Sequence, residues 1–126
     1  MAFIYCNENP SGRHTVDCTV RAISKIMRQK WEKTYTQLCL QGYKMHSMPS
    51  ANAVWSRFLI NNGFKRHLMP DFCPECYTID DFCRDHPQGE YIVATGEHVV
   101  AVIDGDIYDT WDSGGEIVDS YFERSF

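Results

Sequence analysis

The apolar residues of this chain change their spacing once, and that change limits the folds open to it. From Cys18 onward, Val20, Ile23 and Met27, with Ala22 and Ile26 beside them, recur at three- and four-residue intervals, the spacing of a helix that buries one face. After Gly89 the apolar runs are short, β-branched and aromatic, at Tyr91 to Thr95, His98 to Ile103 and Ile107 to Trp111, with Gly and Asp between them; such runs are strands joined by tight turns. Helices come first and hairpin strands last. That order predicts an α+β domain in which N-terminal helices pack on a C-terminal antiparallel sheet.

Two further helices are expected between these regions. Trp31, Tyr35, Leu38 and Cys39 share one face, with Gly42 as the stop; Ala51, Val54, Trp55, Phe58 and Leu59 share another, capped by Ser50 and ending near Gly63. Thr15 or Asp17 offers the N-cap oxygen of the first helix. Residues 7–17 and 64–77, rich in Pro, Gly and short polar side chains or interrupted by Pro70 and Pro74, read as loops. Thr78-Ile79-Asp80-Asp81 resembles a capping box opening a short helix that Pro87 stops.

With 126 residues, 44% of them hydrophobic, the chain is long enough for one cored domain spanning residues 1–126 and too short for two. Its net charge of -5, with Lys and Arg scattered, argues against a nucleic-acid partner. No basic, apolar leader and no membrane-length run is present, so the expectation is a cytoplasmic protein with no membrane partner and with its six cysteines reduced. The pattern carries no signal for an oligomeric state.

A reduced thiol at a helix start is where the chemistry points. The first turn of a helix carries partial positive charge that favours thiolate over thiol, and Cys18 occupies that position. A buried cysteine is often a plain core residue; here a histidine and a carboxylate can be placed beside it by counting. If Asp104-Gly105 forms a two-residue type I′ turn, Ile103 pairs with Asp106, Val102 with Ile107, Val100 with Asp109 and His98 with Trp111. Asp109 then lies diagonal to His98 and can orient its imidazole. A three-residue turn with a bulge would shift the register by one and make Asp112 the alternate orienter.

A cysteine at a helix N-terminus, then a histidine at a strand start, then an acid on the next strand resembles, in that chain order, the papain-like cysteine peptidase superfamily. The string Asp109-Thr110-Trp111 is similar to the family's Asn-Ser-Trp, with Asp in place of Asn. The short interval from His98 to Asp109 resembles the small bacterial members, the cell-wall endopeptidases and bacteriocin-leader peptidases. The strings Asp-Cys-Thr-Val-Arg-Ala-Ile-Ser and Tyr-Asp-Thr-Trp-Asp-Ser also look like those of small proteins of bacteria and their phages. These likenesses cover both ends of the chain and leave residues 28–88 unmatched. The resemblance implies a papain-like fold and a Cys18–His98–Asp109 triad, with Trp111 shielding the His–Asp bond at the substrate-binding side. It also implies an oxyanion donor before the cysteine, where the family has Gln and this chain has Asn7 or Asn9, of which Asn9 is better placed by Pro10 and Gly12.

The function expected is that of a thiol hydrolase needing no cofactor and acting on a peptide, isopeptide or side-chain amide bond of a protein or peptide substrate. Cys73, Cys76, Cys83 and His86 form a C-x2-C-x6-C-x2-H spacing that could hold a structural zinc, although Cys83 also fits the apolar pattern around Phe82. The alternative reading is a non-catalytic interaction protein of the same fold, with or without that zinc knuckle, binding a host or partner protein.

Overall fold

A computed structural model describes residues 2–13, 15–69 and 77–124. In chain order the elements are β1 (Phe3–Tyr5), α1 (Cys18–Met27), α2 (Trp31–Met45), α3 (Asn52–Asn61), β2 (Phe64–Leu68), α4 (Ile79–Asp85), β3 (Glu90–Ala94), β4 (Val99–Ile103), β5 (Asp106–Asp109) and β6 (Ser120–Arg124). The fold is α+β. The sheet is mixed rather than purely antiparallel: its order is β1-β5-β4-β3-β6-β2, and β1 runs parallel to β5 at one edge.

Two cores flank this sheet. On one face Ala22, Ile23 and Ile26 of α1, Leu38 of α2 and Trp55, Phe58 and Leu59 of α3 meet Ile92, Ala94, Val99, Ala101 and Phe122. On the other, Ile79, Phe82 and Cys83 of α4 meet Tyr91, Val93, Val100, Val102 and Ile107. Successive strand residues point to opposite faces, so β3 and β4, covered on both sides, are apolar almost throughout.

The β4–β5 hairpin forms in the predicted register, Ile103 opposite Asp106, Val102 opposite Ile107 and Ala101 opposite Tyr108. Asp104 (φ 51) and Gly105 (φ 78) both take the left-handed conformation that a type I′ turn requires. The capping box at Thr78 also forms: its hydroxyl accepts from Asp81 N, and the Asp81 carboxylate accepts from Thr78 N.

Elsewhere the expected boundaries move. Gly42 lies inside α2, which continues to Met45 and ends at left-handed His46 (φ 54). A Cβ on Gly42 would stand 2.7 Å from the Ser47 carbonyl oxygen, so glycine is needed for the chain's close return and not for the stop. α3 has Ala51 rather than Ser50 at its N-cap. Residues 64–68, expected as loop, form edge strand β2, whose Lys65 and Arg66 are exposed. β1 and β6 were not foreseen either; β1 is only three residues long, too short to carry a periodic signal. Among the described residues no helix is long and apolar enough to cross a membrane.

Candidate active site

Cys18 is the first residue of α1, and its neighbour Asp17 occupies the N-cap position without making a side-chain cap. Helix pinning comes from Ile23 and Ile26, both fully buried. The Asp17 carboxylate is committed elsewhere. Its Oδ1 accepts from Arg21 Nε at 2.8 Å, and its Oδ2 accepts from Asn9 Nδ2 at 3.1 Å and from Trp31 Nε1 at 3.0 Å. A bare carboxylate next to the sulfur would oppose thiolate formation; the Arg21 guanidinium offsets that charge.

His98 is set by a tight turn before β4. Thr95 N donates to the His98 carbonyl at 2.8 Å, and His98 N donates to Thr95 Oγ1 at 3.0 Å. The imidazole Nε2 meets Asp109 Oδ2 at 2.5 Å. With Nε2 so engaged, Nδ1 is the ring nitrogen left to serve Cys18, which lines the same cavity as His98. Trp111, 45% exposed, lies with its ring centroid 4.8 Å from that of His98 and tilted by 41°.

The register was right, yet the triad does not sit on one pleated face. Val100 and Ile107, each two residues along from His98 and Asp109, pack on the α4 side, while Cys18 packs with the α1 cluster. His98 precedes β4 and Asp109 is the last residue of β5. The three side chains therefore meet across the end of the sheet, where the N-terminus of α1 arrives.

Arg21 is the residue that sequence reasoning missed. Its Nη1 donates to Asp109 Oδ1 at 2.7 Å and to Thr110 Oγ1 at 3.3 Å, while its Nε holds Asp17. Asp109, 3% exposed, thus divides its oxygens, Oδ2 to the imidazole and Oδ1 to the guanidinium and to Thr110 N at 2.7 Å. The available signal was spacing: Arg21 is one turn from both Asp17 (i, i+4) and Cys18 (i, i+3) on α1.

Electrostatics follow from these contacts. Burial works to raise the Cys18 thiol, but the hydrogen bond with His98, the Val99 backbone N–H, the imidazolium charge and the Thr19 hydroxyl together bring it below its ordinary value. Burial works to lower His98, yet the hydrogen bonds to Asp109 and Cys18 raise it to about 9. Asp109 is held below the usual carboxylate range: burial opposes this, and His98, the Thr110 N–H and Arg21 outweigh it. Both shifts move the site toward a thiolate–imidazolium pair. Two other cysteines move the opposite way, Cys6 raised by burial and by Glu8, and Cys83 raised by burial to about 11.

The other predicted positions are placed as follows. Asn9 gives its amide to Asp17, and its Oδ1 accepts from Ser11 N and Oγ at 3.0 and 2.8 Å; it lines the cavity next to that of the sulfur, not the sulfur's own. Asn7 Oδ1 accepts from Asn9 N. The carboxamide that does share the sulfur's cavity, of about 340 Å³, is Asn52, whose Oδ1 is held by Trp55 Nε1 at 3.0 Å. Asp112, the alternate orienter, instead accepts from Gly114 N at 3.0 Å. For the zinc reading, Cys73 and Cys76 lie outside the described residues. Cys83 is buried, and His86 Nδ1 lies 2.9 Å from the Phe82 carbonyl oxygen, its ring stacked on Phe82. Among the described residues no three His, Cys, Asp or Glu side chains converge as metal ligands.

Comparison of the chain with protein-family models, with curated proteins and with solved structures finds no match.

Proposed function

We propose that the protein is a small thiol hydrolase of papain-like architecture that cleaves a peptide, isopeptide or side-chain amide bond. The observation that carries this reading is the convergence of three groups: Asp109 on Nε2 of His98, that imidazole and Cys18 lining one cavity, and a thiol lowered by the imidazole despite partial burial. A thiol 80 residues from the hairpin that carries His98 and Asp109 is brought to the same cavity as the imidazole, and strongly perturbed titratable groups gather at functional sites.

In the proposed cycle the Cys18 thiolate attacks the carbonyl carbon, forming a carbon–sulfur bond while the carbonyl electron pair moves to oxygen. In this reading the oxyanion takes hydrogen bonds from the backbone N–H groups of the first turn of α1 and from the Asn52 carboxamide, which lines the same cavity. Collapse breaks the carbon–nitrogen bond, and imidazolium gives its proton to the departing amine. Water, deprotonated by His98, then attacks the thioester; the carbon–sulfur bond breaks and the acid is released. Arg21 takes no proton in this cycle and serves to hold Asp109 and balance its charge. Any protein substrate is met through the groove around the sulfur, and the chemistry needs no metal.

The test is alkylation by iodoacetamide near pH 6, where an ordinary thiol with pKa about 8.5 is only about 0.3% thiolate. Cys18 is expected to be modified far faster than free cysteine or than Cys6 and Cys83, and to lose that advantage in His98→Ala. Modification of Cys18 at the free-thiol rate would leave the non-catalytic binding protein as the surviving reading.

A further inference from the structure

A separate cavity, of about 310 Å³, is lined by Arg13 and Thr15 of the loop before α1, by Asp17 and Arg21 at the start of α1, and by Thr110 and Trp111 just after β5. Neither Cys18 nor His98 is among its walls. Its size lies at the lower end of the range of ligand sites, about 300–1,000 Å³. Five of the six walls carry hydrogen-bonding or charged side chains and the sixth is an indole, so the cavity calls for a polar ligand.

The donors around it are not all engaged. Arg21 commits Nε to Asp17 and Nη1 to Asp109 and Thr110. Its Nη2 has no protein partner among the described residues and is not sealed from solvent, so this group is reached from the cavity that Arg21 lines. Arg13 is exposed and forms no ion pair among the described residues. The Thr110 hydroxyl accepts from Arg21, which leaves its own proton to donate, and the Thr15 hydroxyl has no partner among the described residues. Asp17 is the one carboxylate on the wall, and its oxygens already accept from Asn9, Arg21 and Trp31. Two guanidinium charges against one carboxylate leave the lining net positive.

These donors come from three chain segments, two of them charged and two neutral. A planar carboxylate has two oxygens to offer such a set, whereas a tetrahedral oxyanion has three or more around one centre, and the guanidinium fork matches its edges. We propose that this cavity binds a phosphoryl group, with Arg13 and Arg21 Nη2 as the charged donors and the Thr15 and Thr110 hydroxyls as the neutral ones. The assignment goes beyond the thiol-hydrolase reading and does not depend on it. Trp111, 45% exposed, offers a ring face to whatever carries the phosphoryl group.

Calorimetric titration of the whole chain with inorganic phosphate and with phenyl phosphate, at constant ionic strength, provides the test. At least one probe is expected to saturate a single site with a dissociation constant of about 1 mM or below. Tighter binding of phenyl phosphate assigns the site to a phosphate ester, and equal or weaker binding assigns it to free phosphate. Arg13→Ala, at an exposed position where folding is not at stake, is expected to weaken binding about 10- to 100-fold, the scale of one charged hydrogen-bonded contact, and Thr15→Val a few-fold. The Arg21 Nε–H signal, followed by NMR through the same titration, is expected to shift with the same midpoint. Absence of saturable binding for both probes, an affinity unchanged in Arg13→Ala, or an Arg21 signal that stays fixed overturns the site.

Discussion

Replacing Asp109 by Asn removes one negative charge from a nearly dry site and changes little else in shape. The His98 imidazole, 11% exposed in its side chain, is raised from 6.5 to about 9 against the opposing effect of its burial, which corresponds to about 3 kcal/mol at roughly 1.4 kcal/mol per pH unit. Asp109 is the first of the groups that raise it and Cys18 the second, so the carboxylate carries the larger part but not all. Without it, imidazolium no longer outcompetes thiol for the proton, and the thiolate population near pH 6 is expected to fall about 10- to 100-fold, one to two powers of ten at that same exchange rate. The assay is the pH dependence of Cys18 alkylation, followed site by site by mass spectrometry, with the histidine titration followed by NMR. Asp109→Asn should move the His98 midpoint down from about 9 and slow alkylation in parallel. An unchanged alkylation profile in a variant that still folds would refute the claim that Asp109 acts through the imidazole.

Two further outcomes follow from the same network. Arg21→Met leaves Asp17 and Asp109, 6% and 3% exposed, without the cation they share; a loss of about 3–5 kcal/mol is expected in urea unfolding, with Arg21→Lys recovering only part because a point ammonium cannot serve both carboxylates as the guanidinium fork does. For pH, the raised His98 contributes stability that is fully present below about 6.5 and lost as pH rises through about 9, whereas the lowered Cys18 contributes stability that is present above its ordinary value and lost as pH falls through its folded one. Alkylation and hydrolysis should therefore rise along an acid limb set below the usual thiol range and, for hydrolysis, decline near pH 9 as the imidazolium needed by the leaving amine disappears; a hydrolysis profile still rising through pH 10 would exclude His98 as the acid.

What could be read ahead of the structure was whatever a few consecutive residues specify. The helical face of α1, the capping box at Thr78 and the Asp104-Gly105 turn are each written within about a dozen positions. Because turn chemistry sets register, the turn alone was enough to choose Asp109 over Asp112 as the partner of His98.

Tertiary structure decided everything that depends on where distant segments arrive. β1 could be placed only by β5, more than 100 residues away, and β2 only by β6; neither edge strand has enough residues facing the core to announce itself. The same holds for the long polar side chains. Asp17 looked like a helix cap, but a buried carboxylate takes the strongest donors within reach, and folding brought it Arg21, Trp31 and Asn9. The amino-acid order by itself singled out Cys18, His98 and Asp109 and determined the register that aligns two of them. Only the folded chain determined that Arg21 joins them and that Asn9 serves Asp17, because a charged group's partner is set by proximity in space and by burial, and neither is recorded in local spacing.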